Sequence, residues 1–264
     1  MINSTYPDIE KLGLYSPEAA ARLIRTRANR VRYWFKGTNK SDPLWIQSAT
    51  ATDQNIQLSF IDLLQVRMVE LLLGGGYKLS AIRKAIEYGQ NVLEEQFPLL
   101  SKRLHLEMRK EVGGGFIHFQ STRAMAQTTR VTGDQFEQSP TGQLILRGVL
   151  DVKPVANIYA AAVSLQSSVE YLQDRPIWKI APTISANVVA DPKRNAGVPI
   201  LMGRGLPISV IAEQASIYSD QEVADDFEIS VEDVQDAKRF TRHMAEPIPL
   251  RHGHRTSHHL SGTA

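Results

Sequence analysis

The sequence contains no cysteine, so its 264 residues cannot form a disulfide, a thiolate zinc site or a cysteine nucleophile. It also lacks any run of about 18 apolar residues, the length that a membrane helix needs, and we expect no membrane span. The N-terminal segment Met1–Asp8 has neither the basic region nor the apolar core of a secretory signal. A cytoplasmic location is the default expectation.

Catalytic and metal-binding motifs are also missing. Gly74–Gly76 and Gly113–Gly115 lack the Lys-Ser/Thr that follows a phosphate-binding loop, and no Ser/His/Asp spacing or paired-carboxylate motif occurs. The four histidines between positions 252 and 259 lie in a Gly/Ser-rich tail without carboxylate or cysteine partners. We therefore expect a protein that is not an enzyme, with no catalytic residues, no cofactor and no metal.

The charges of the chain nearly balance, with 30 Lys and Arg against 28 Asp and Glu and a net charge of +2. A surplus this small does not indicate a nucleic-acid-binding protein, so the distribution of charge is more informative than its sum. Six basic residues are clustered near the N-terminus, with no acidic residue between the first and the last. A cluster of this kind can neutralise the phosphates of DNA. Its members are Arg22, Arg25, Arg27, Arg30, Arg32 and Lys36.

This basic stretch has the layout of a helix-turn-helix. Ser16 is a favourable N-cap and Pro17 suits the first helical position, so a helix is predicted to begin here. Ala20, Leu23 and Ile24 fall at helical spacing and form its apolar face. A four-residue turn at 25–28 should follow.

A second short helix is predicted after the turn, with Val31 and Trp34 on its inner side and Gly37 at its end. In a helix-turn-helix the second helix enters the major groove of DNA. We therefore predict that the DNA-binding residues are Arg27, Asn29, Arg30, Arg32, Tyr33 and Lys36.

The position of each of these residues suggests its role. Arg27, Asn29 and Arg30 lie at the start of the second helix, which is where side chains contact the edges of bases. Arginine can bind guanine through two hydrogen bonds, and asparagine can bind adenine in the same way. Arg32 and Tyr33 lie later and are expected to touch phosphate. Short amphipathic helices with surface arginines also occur in many helical proteins, so spacing alone leaves a purely structural role open.

The rest of the first hundred residues, and the region after them, contain further elements. Residues 38–55 should form two short strands or a loop in the position of a wing. Ser59 is predicted to cap a helix that runs to Leu73, and Ser80 another that runs to Phe97. The segment 104–111 is predicted to be helical and 113–115 a hinge or tight turn. Strands are predicted at 116–119 and 187–190, a strand or the start of a helix at 144–146, and a hairpin from 168–172 and 177–180.

Three short helices are predicted near the C-terminus, at about 208–217, 220–226 and 231–240, with Ser219 and Ser230 as caps. Lys and Arg are absent between Gly205 and Ala237, whereas nine acidic residues occur there, so DNA would be repelled. The unit is either a protein-binding or dimerisation module or a small domain with a solvated acidic face. The acidic residues are Glu213, Asp220, Glu222, Asp225, Asp226, Glu228, Glu232, Asp233 and Asp236.

The first 97 residues resemble the MerR-type winged helix. The resemblance runs without a gap from Tyr15 to Trp34, and the segment 79–83 resembles the turn into the family's fourth helix. It implies that Arg32 and Tyr33 contact phosphate. Two features differ from the family: its turn Gly-Val is here Arg25-Thr26, and its usual proline after the turn is here Ala28.

Residues 187–240 resemble a small bacterial domain of unknown function that is found in VapB-type antitoxins. The similarity lies in Asp191-Pro192, in the turn-rich segment 197–211, and in the segments 223–227 and 230–237. Where that family has Arg-Gly-Thr-Arg-Ile-Pro, this chain has the sequence from Met202 to Pro207.

Together these resemblances imply an antitoxin of a type II toxin–antitoxin system, which neutralises a PIN-like ribonuclease toxin and represses its own operon by binding operator DNA. The alternative is a MerR-like transcriptional regulator with a C-terminal ligand- or protein-binding domain and no toxin partner. A homodimer is expected because helix-turn-helix proteins usually bind paired half-sites.

The expected fold class is mainly α, of the α+β type, in four parts. A winged helix-turn-helix domain occupies residues 1–97 and a middle region with short β hairpins occupies 98–181. A C-terminal three-helix unit for toxin binding or dimerisation covers 182–245, and a disordered tail covers 246–264.

Overall fold

The helix pair predicted near the N-terminus is present. The computed structural model describes residues 15–39, 41–44, 56–74, 77, 79–91, 94–100, 104–109, 114–120, 136–138, 143–146, 169–172 and 175–248. Helix α1 spans Pro17–Ile24 and α2 spans Ala28–Lys36, with a turn at 25–27. We call residues 17–36 the helix pair. Ser16 caps α1 as predicted, since its side-chain oxygen accepts a hydrogen bond from the Ala19 amide at 3.1 Å.

Helix α3, Phe60–Gly74, is the central helix of the N-terminal part. Ser59 caps it as predicted, through a reciprocal arrangement in which the Ser59 hydroxyl donates to Asp62 at 2.9 Å and accepts from the Asp62 amide at 3.1 Å. Side chains are buried on nearly every side of α3, as expected of a helix that is enclosed by other elements.

Helix α4 spans Leu79–Asn91. The prediction that Ser80 caps it was wrong by one or two residues, because Ser80 lies in its first turn. The predicted end at Phe97 was also wrong. Glycine and asparagine are weak helix formers, and after Asn91 the amide of Glu95 bonds to the carbonyl of Gly89 at 2.9 Å, so the chain leaves the helix here.

A four-stranded antiparallel sheet occupies the middle of the chain, in the order β1-β2-β4-β3. Its strands are β1 (Leu104–Arg109), β2 (Gly114–Gln120), β3 (Phe136–Gln138) and β4 (Gln143–Leu146). The predicted strand at 116–119 is confirmed, and the segment 144–146, for which a strand or the start of a helix was predicted, is a strand. The predicted helix at 104–111 was wrong. Its apolar residues alternate at positions 104, 106 and 108, which is the period of a strand, and Gly114 and Gly115 pair with Arg109 and Met108 instead of forming a hinge.

A second four-stranded antiparallel sheet follows, in the order β5-β6-β7-β8. The predicted hairpin is confirmed as β5 (Val169–Leu172) and β6 (Arg175–Lys179), and the next predicted strand as β7 (Val188–Ala190). The edge strand β8, Ile200–Leu201, is only two residues long. Consecutive strands pair throughout, so this sheet is a simple meander.

The three predicted C-terminal helices are α5 (Ile208–Gln214), α6 (Asp220–Phe227) and α7 (Val231–Ala245). Ser219 and Ser230 cap α6 and α7 as predicted, each in a capping box with the acidic residue three positions later. Helix α5 is three residues shorter than predicted, and α7 is five residues longer. The additional turns of α7 include His243, which contacts Arg25 in the N-terminal part.

One cluster of buried apolar side chains extends from the helix pair through Trp178 to the C-terminal helices. The fold is therefore of the α+β class, with helices and antiparallel sheets in separate stretches of the chain. Within the described ranges, no helix is both long and apolar enough to cross a membrane. Of the predicted wing at 38–55, the described part ends at residue 44 and contains an isolated bridge between Thr38 and Ser41. Residues 45–55 of that segment, and the predicted tail 246–264 from residue 249 onward with its histidines, lie outside the described residues.

Candidate nucleic-acid interface

The burial of α2 determines which of its side chains can meet a ligand. Val31, Trp34 and Phe35 are buried against the rest of the protein. Residues three, four and seven positions apart share a face of a helix, so the face opposite these three residues carries Asn29, Arg32 and Lys36. We call these three residues the outer stripe of α2. Asn29 and Lys36 are exposed and Arg32 is half-exposed.

Two cations at the ends of α2 are available to a polyanion. Arg27 is the N-cap residue of α2 and is exposed, and Lys36 lies exposed in the last turn. Among the residues that the structure describes, neither side chain forms an ion pair. Both predicted site residues are therefore placed where a DNA contact would displace only water and counterions.

Arg32 has a protein partner, but an exchangeable one. Its guanidinium pairs with Glu18 of α1 and donates a hydrogen bond to Asn29 at 3.0 Å. The side chains of Arg32 and Glu18 are 40% and 54% exposed. Exposed pairs of this kind typically contribute no more than about 1 kcal/mol, so a DNA phosphate could replace the carboxylate.

Arg30 is oriented differently from the prediction that it reads a base. Its guanidinium lies 3.1 Å from the Glu70 carboxylate on α3 and stacks over the Trp34 ring at 5.7 Å. The Glu70 side chain is only 6% exposed, so this ion pair joins α2 to the interior. The geometry gives Arg30 a structural role in orienting α2.

Tyr33 is also held by the protein. It is half-buried against the core, and its hydroxyl lies 3.1 Å from the Ser41 hydroxyl, which ties α2 to the segment that follows it. The six predicted site residues thus separate into an exposed group and two residues that join α2 to its surroundings.

Replacing Arg30 tests this separation. We expect Arg30→Ala to lower the free energy of unfolding by about 1–3 kcal/mol, because the nearly buried Glu70 carboxylate loses its guanidinium. The exposed Arg27→Ala is the matched control and should change stability by no more than about 0.5 kcal/mol. Urea denaturation followed by circular dichroism measures both values. Equal stability of the two variants would show that the Arg30–Glu70 pair does not hold α2.

The turn of the helix pair contains a residue that the sequence-based site did not include. Arg25 has left-handed backbone angles, with a φ of 57°, where glycine is normally favoured. Its guanidinium reaches the C-terminal helix α7, with Nη1 2.9 Å from His243 and 3.4 Å from the Glu246 carboxylate. The sequence held one signal for this residue, since the MerR-type turn has glycine at the position where this chain has Arg25.

The other unusual residue of the turn, Thr26, is buried, and among the described residues its hydroxyl has no hydrogen-bond partner. An unpaired buried hydroxyl costs about 1–3 kcal/mol. We expect Thr26→Val, which keeps the shape and removes the hydroxyl, to raise the free energy of unfolding by about 1 kcal/mol. Thr26→Ser, which keeps the hydroxyl and removes the methyl group, should lower it; thermal denaturation distinguishes the two. A less stable valine variant would mean that the hydroxyl does have a partner.

The start of α1 is anchored to the C-terminal part as well. The buried Tyr15 hydroxyl donates a hydrogen bond to the Gly197 carbonyl at 3.0 Å. Burial, and secondarily the charge of Asp191, raises the pKa of Tyr15 well above its usual range, so the phenol remains a neutral donor. Both ends of α1 are therefore joined to the C-terminal part, by Tyr15 at one end and by Arg25 at the other.

Several acidic residues of the C-terminal unit have structural partners. Glu222 and Asp233 complete the capping boxes, and hydrogen bonds from Ser219 lower the pKa of Glu222. Asp220 lies 2.7 Å from Lys238, and Asp236 pairs with Arg239. The acidic run is thus partly a set of helix caps, and the exposed Glu213, Asp226, Glu228 and Glu232 give the surface its negative charge.

Comparison with known proteins extends this description at the level of the fold. No protein-family model matches the chain, and no curated protein matches it. The structure is similar to the crystal structure of Rv2018 from Mycobacterium tuberculosis, with a TM-score of 0.54 over 85% of this chain and 96% of that chain. The two sequences are 16% identical, so the similarity concerns the fold alone.

Proposed function

We propose that this protein is an antitoxin that binds operator DNA through the helix pair and neutralises a PIN-like ribonuclease toxin through its C-terminal helices. The observation that carries the proposal is the contrast between two exposed surfaces. The helix pair offers Arg27, Arg32 and Lys36, whereas the surface of α5 and α6 is acidic and carries exposed apolar side chains.

The DNA-binding part of the proposal rests on the exposed side chains of α2. In this proposal the predicted domain at 1–97 is a winged helix-turn-helix, and α2 is its recognition helix. Arg27 and Asn29 at the N-terminal end of α2 are exposed, which is where side chains meet base edges in such domains. Two copies of the helix pair in a homodimer would contact two half-sites one helical turn of DNA apart.

The toxin-binding part rests on α5 and the turn after it. Val210, Ile217 and Tyr218 are exposed, and Ile217 shows 67% of its surface to solvent. Val210 lies on α5, whereas Ile217 and Tyr218 lie in the hydrogen-bonded turns that follow its last residue, Gln214. Exposed apolar side chains beside the acidic Glu213 fit a partner with a basic surface, such as one that binds RNA.

Co-expression of the full chain with a ribonuclease encoded beside its gene tests this part. We expect the two proteins to copurify, and Ile217→Glu to weaken the complex about tenfold or more because it places a charge among the exposed apolar side chains. Ser216→Glu adds the same charge at the neighbouring exposed position and should leave the complex nearly unchanged. Absence of a complex with the wild-type chain would favour the alternative, a MerR-like regulator with no toxin partner.

A further inference from the structure

A cleft of about 250 Å³ lies between the helix pair and the C-terminal part. One wall is formed by the end of α1, its turn and α3, and the opposite wall by β6, the loop after it and α7. Neither the predicted DNA contacts nor the exposed apolar side chains at α5 use this space. Small-molecule sites occur preferentially at such boundaries between structural units.

The side chains of the cleft select a class of ligand. Its described lining includes the cations Arg25, Arg67 and Lys179, together with His243. The exposed Glu246 carboxylate is not part of this lining but lies 3.4 Å from the Arg25 guanidinium. The remaining wall is largely apolar, with Leu71 and Trp178 among its residues. A ligand with one negative group and an apolar body would therefore match the lining in both charge and polarity.

The size of the cleft restricts the ligand further. An engineered apolar cavity of about 150 Å³ holds benzene, whereas pockets for drug-sized molecules begin at about 300 Å³. We propose that this cleft binds a small organic carboxylate with an aromatic or short aliphatic body, with Arg25 as the main anchor of the carboxylate. Arginine suits this role because its planar guanidinium can donate two parallel hydrogen bonds to a carboxylate.

The site has a consequence for the helix pair. Arg25 lies in the turn between α1 and α2 and also contacts His243 on α7 and the Glu246 carboxylate that follows this helix. A carboxylate on Arg25 would compete with these contacts, so binding in the cleft would be coupled to the contact between the helix pair and α7. This inference does not depend on the proposed function, because it concerns the chain without DNA or toxin.

Calorimetric titration of the wild-type chain with benzoate tests the site, with tryptophan fluorescence as a second signal because Trp178 is part of the lining. We expect saturable binding with a Kd on the order of 0.1–1 mM. Benzyl alcohol, which has the same ring without the charge, and inorganic phosphate, which has charge without the ring, should each bind at least about tenfold more weakly.

The variants assign the binding to this cleft. Arg25→Gln should weaken benzoate binding about tenfold, and Arg22→Gln, an exposed cation on α1 outside the cleft, should not change it. Since Arg25 also contacts α7, Lys179→Gln on the opposite wall provides a second test, with a several-fold loss expected. Absence of saturable benzoate binding, equal binding of benzyl alcohol, or unchanged affinity in both cleft variants would each overturn the proposal.

Discussion

Gly197→Ala is expected to destabilise the protein by about 3–5 kcal/mol, although it adds a single methyl group. A Cβ at this position would lie 1.8 Å from the Tyr15 hydroxyl oxygen and 2.7 Å from its ring carbon, inside any permitted contact. Tyr15 is buried and its hydroxyl bonds to the Gly197 carbonyl, so the ring cannot move aside without losing both the bond and its packing. Gly197 also has a φ of 78°, which costs an alanine about 1–2 kcal/mol.

Gly203→Ala separates the clash from the backbone strain. Gly203 has a φ of 89°, but a Cβ there would meet nothing within 4 Å. We expect this variant to lose only about 1–2 kcal/mol. Chemical denaturation of both variants gives the difference in the free energy of unfolding that is due to Tyr15.

A double-mutant cycle tests the contact with Tyr15 directly. Removing the hydroxyl with Tyr15→Phe should restore part of the stability that Gly197→Ala loses, and the cycle measures that coupling. Equal losses at both glycines would refute the contact.

The contact tested in this way explains why the helix pair and the C-terminal helices share one cluster of buried residues. Tyr15 precedes α1 and Arg25 follows it, and each reaches a different part of the C-terminal half. A helix of eight residues is only marginally stable by itself. The contacts at its two ends therefore help to hold α1 in position. The orientation of α2 then follows from α1 and from the Arg30–Glu70 pair.

The sequence predicted best what depends on neighbouring residues. Ser16, Ser59, Ser219 and Ser230 were all identified as caps, because a cap needs only its own side chain and an amide two or three positions later. The hairpin of β5 and β6 was found for the same reason. The helix wrongly predicted at 104–111 shows the limit of this approach, since β1 is defined by its pairing with β2 as well as by its own alternation.

The sequence predicted the position of α2 but not the contacts of its side chains. Charge and spacing identified α2 and its exposed Arg27, Asn29 and Lys36. They could not show that Arg30 faces a carboxylate 40 residues away, or that Arg25 reaches a helix more than 200 residues later. Such pairings depend on tertiary contacts between distant segments, and no local pattern records them.

Alanine substitution of Arg27, Arg32 and Lys36 together is expected to lower the affinity for operator DNA by 100-fold or more, on the order of 1 kcal/mol for each lost contact. All three side chains are exposed or half-exposed on or beside α2, so the fold should survive the change. Each phosphate contact contributes about 0.9 to the slope of log affinity against log salt. The slope should therefore fall by about two to three in fluorescence-anisotropy titrations of a duplex that carries the sequence upstream of the gene.

Two controls determine whether these losses come from α2 or from net charge alone. Arg204→Ala removes an exposed cation from the C-terminal part and should leave the slope unchanged. Glu18→Gln removes the carboxylate that pairs with Arg32, so it should tighten DNA binding several-fold by freeing the guanidinium for phosphate. If Glu18→Gln has no effect and the triple variant keeps the affinity and slope of the wild type, α2 is not the recognition helix. In that case the cations of the helix pair serve only to keep that surface solvated.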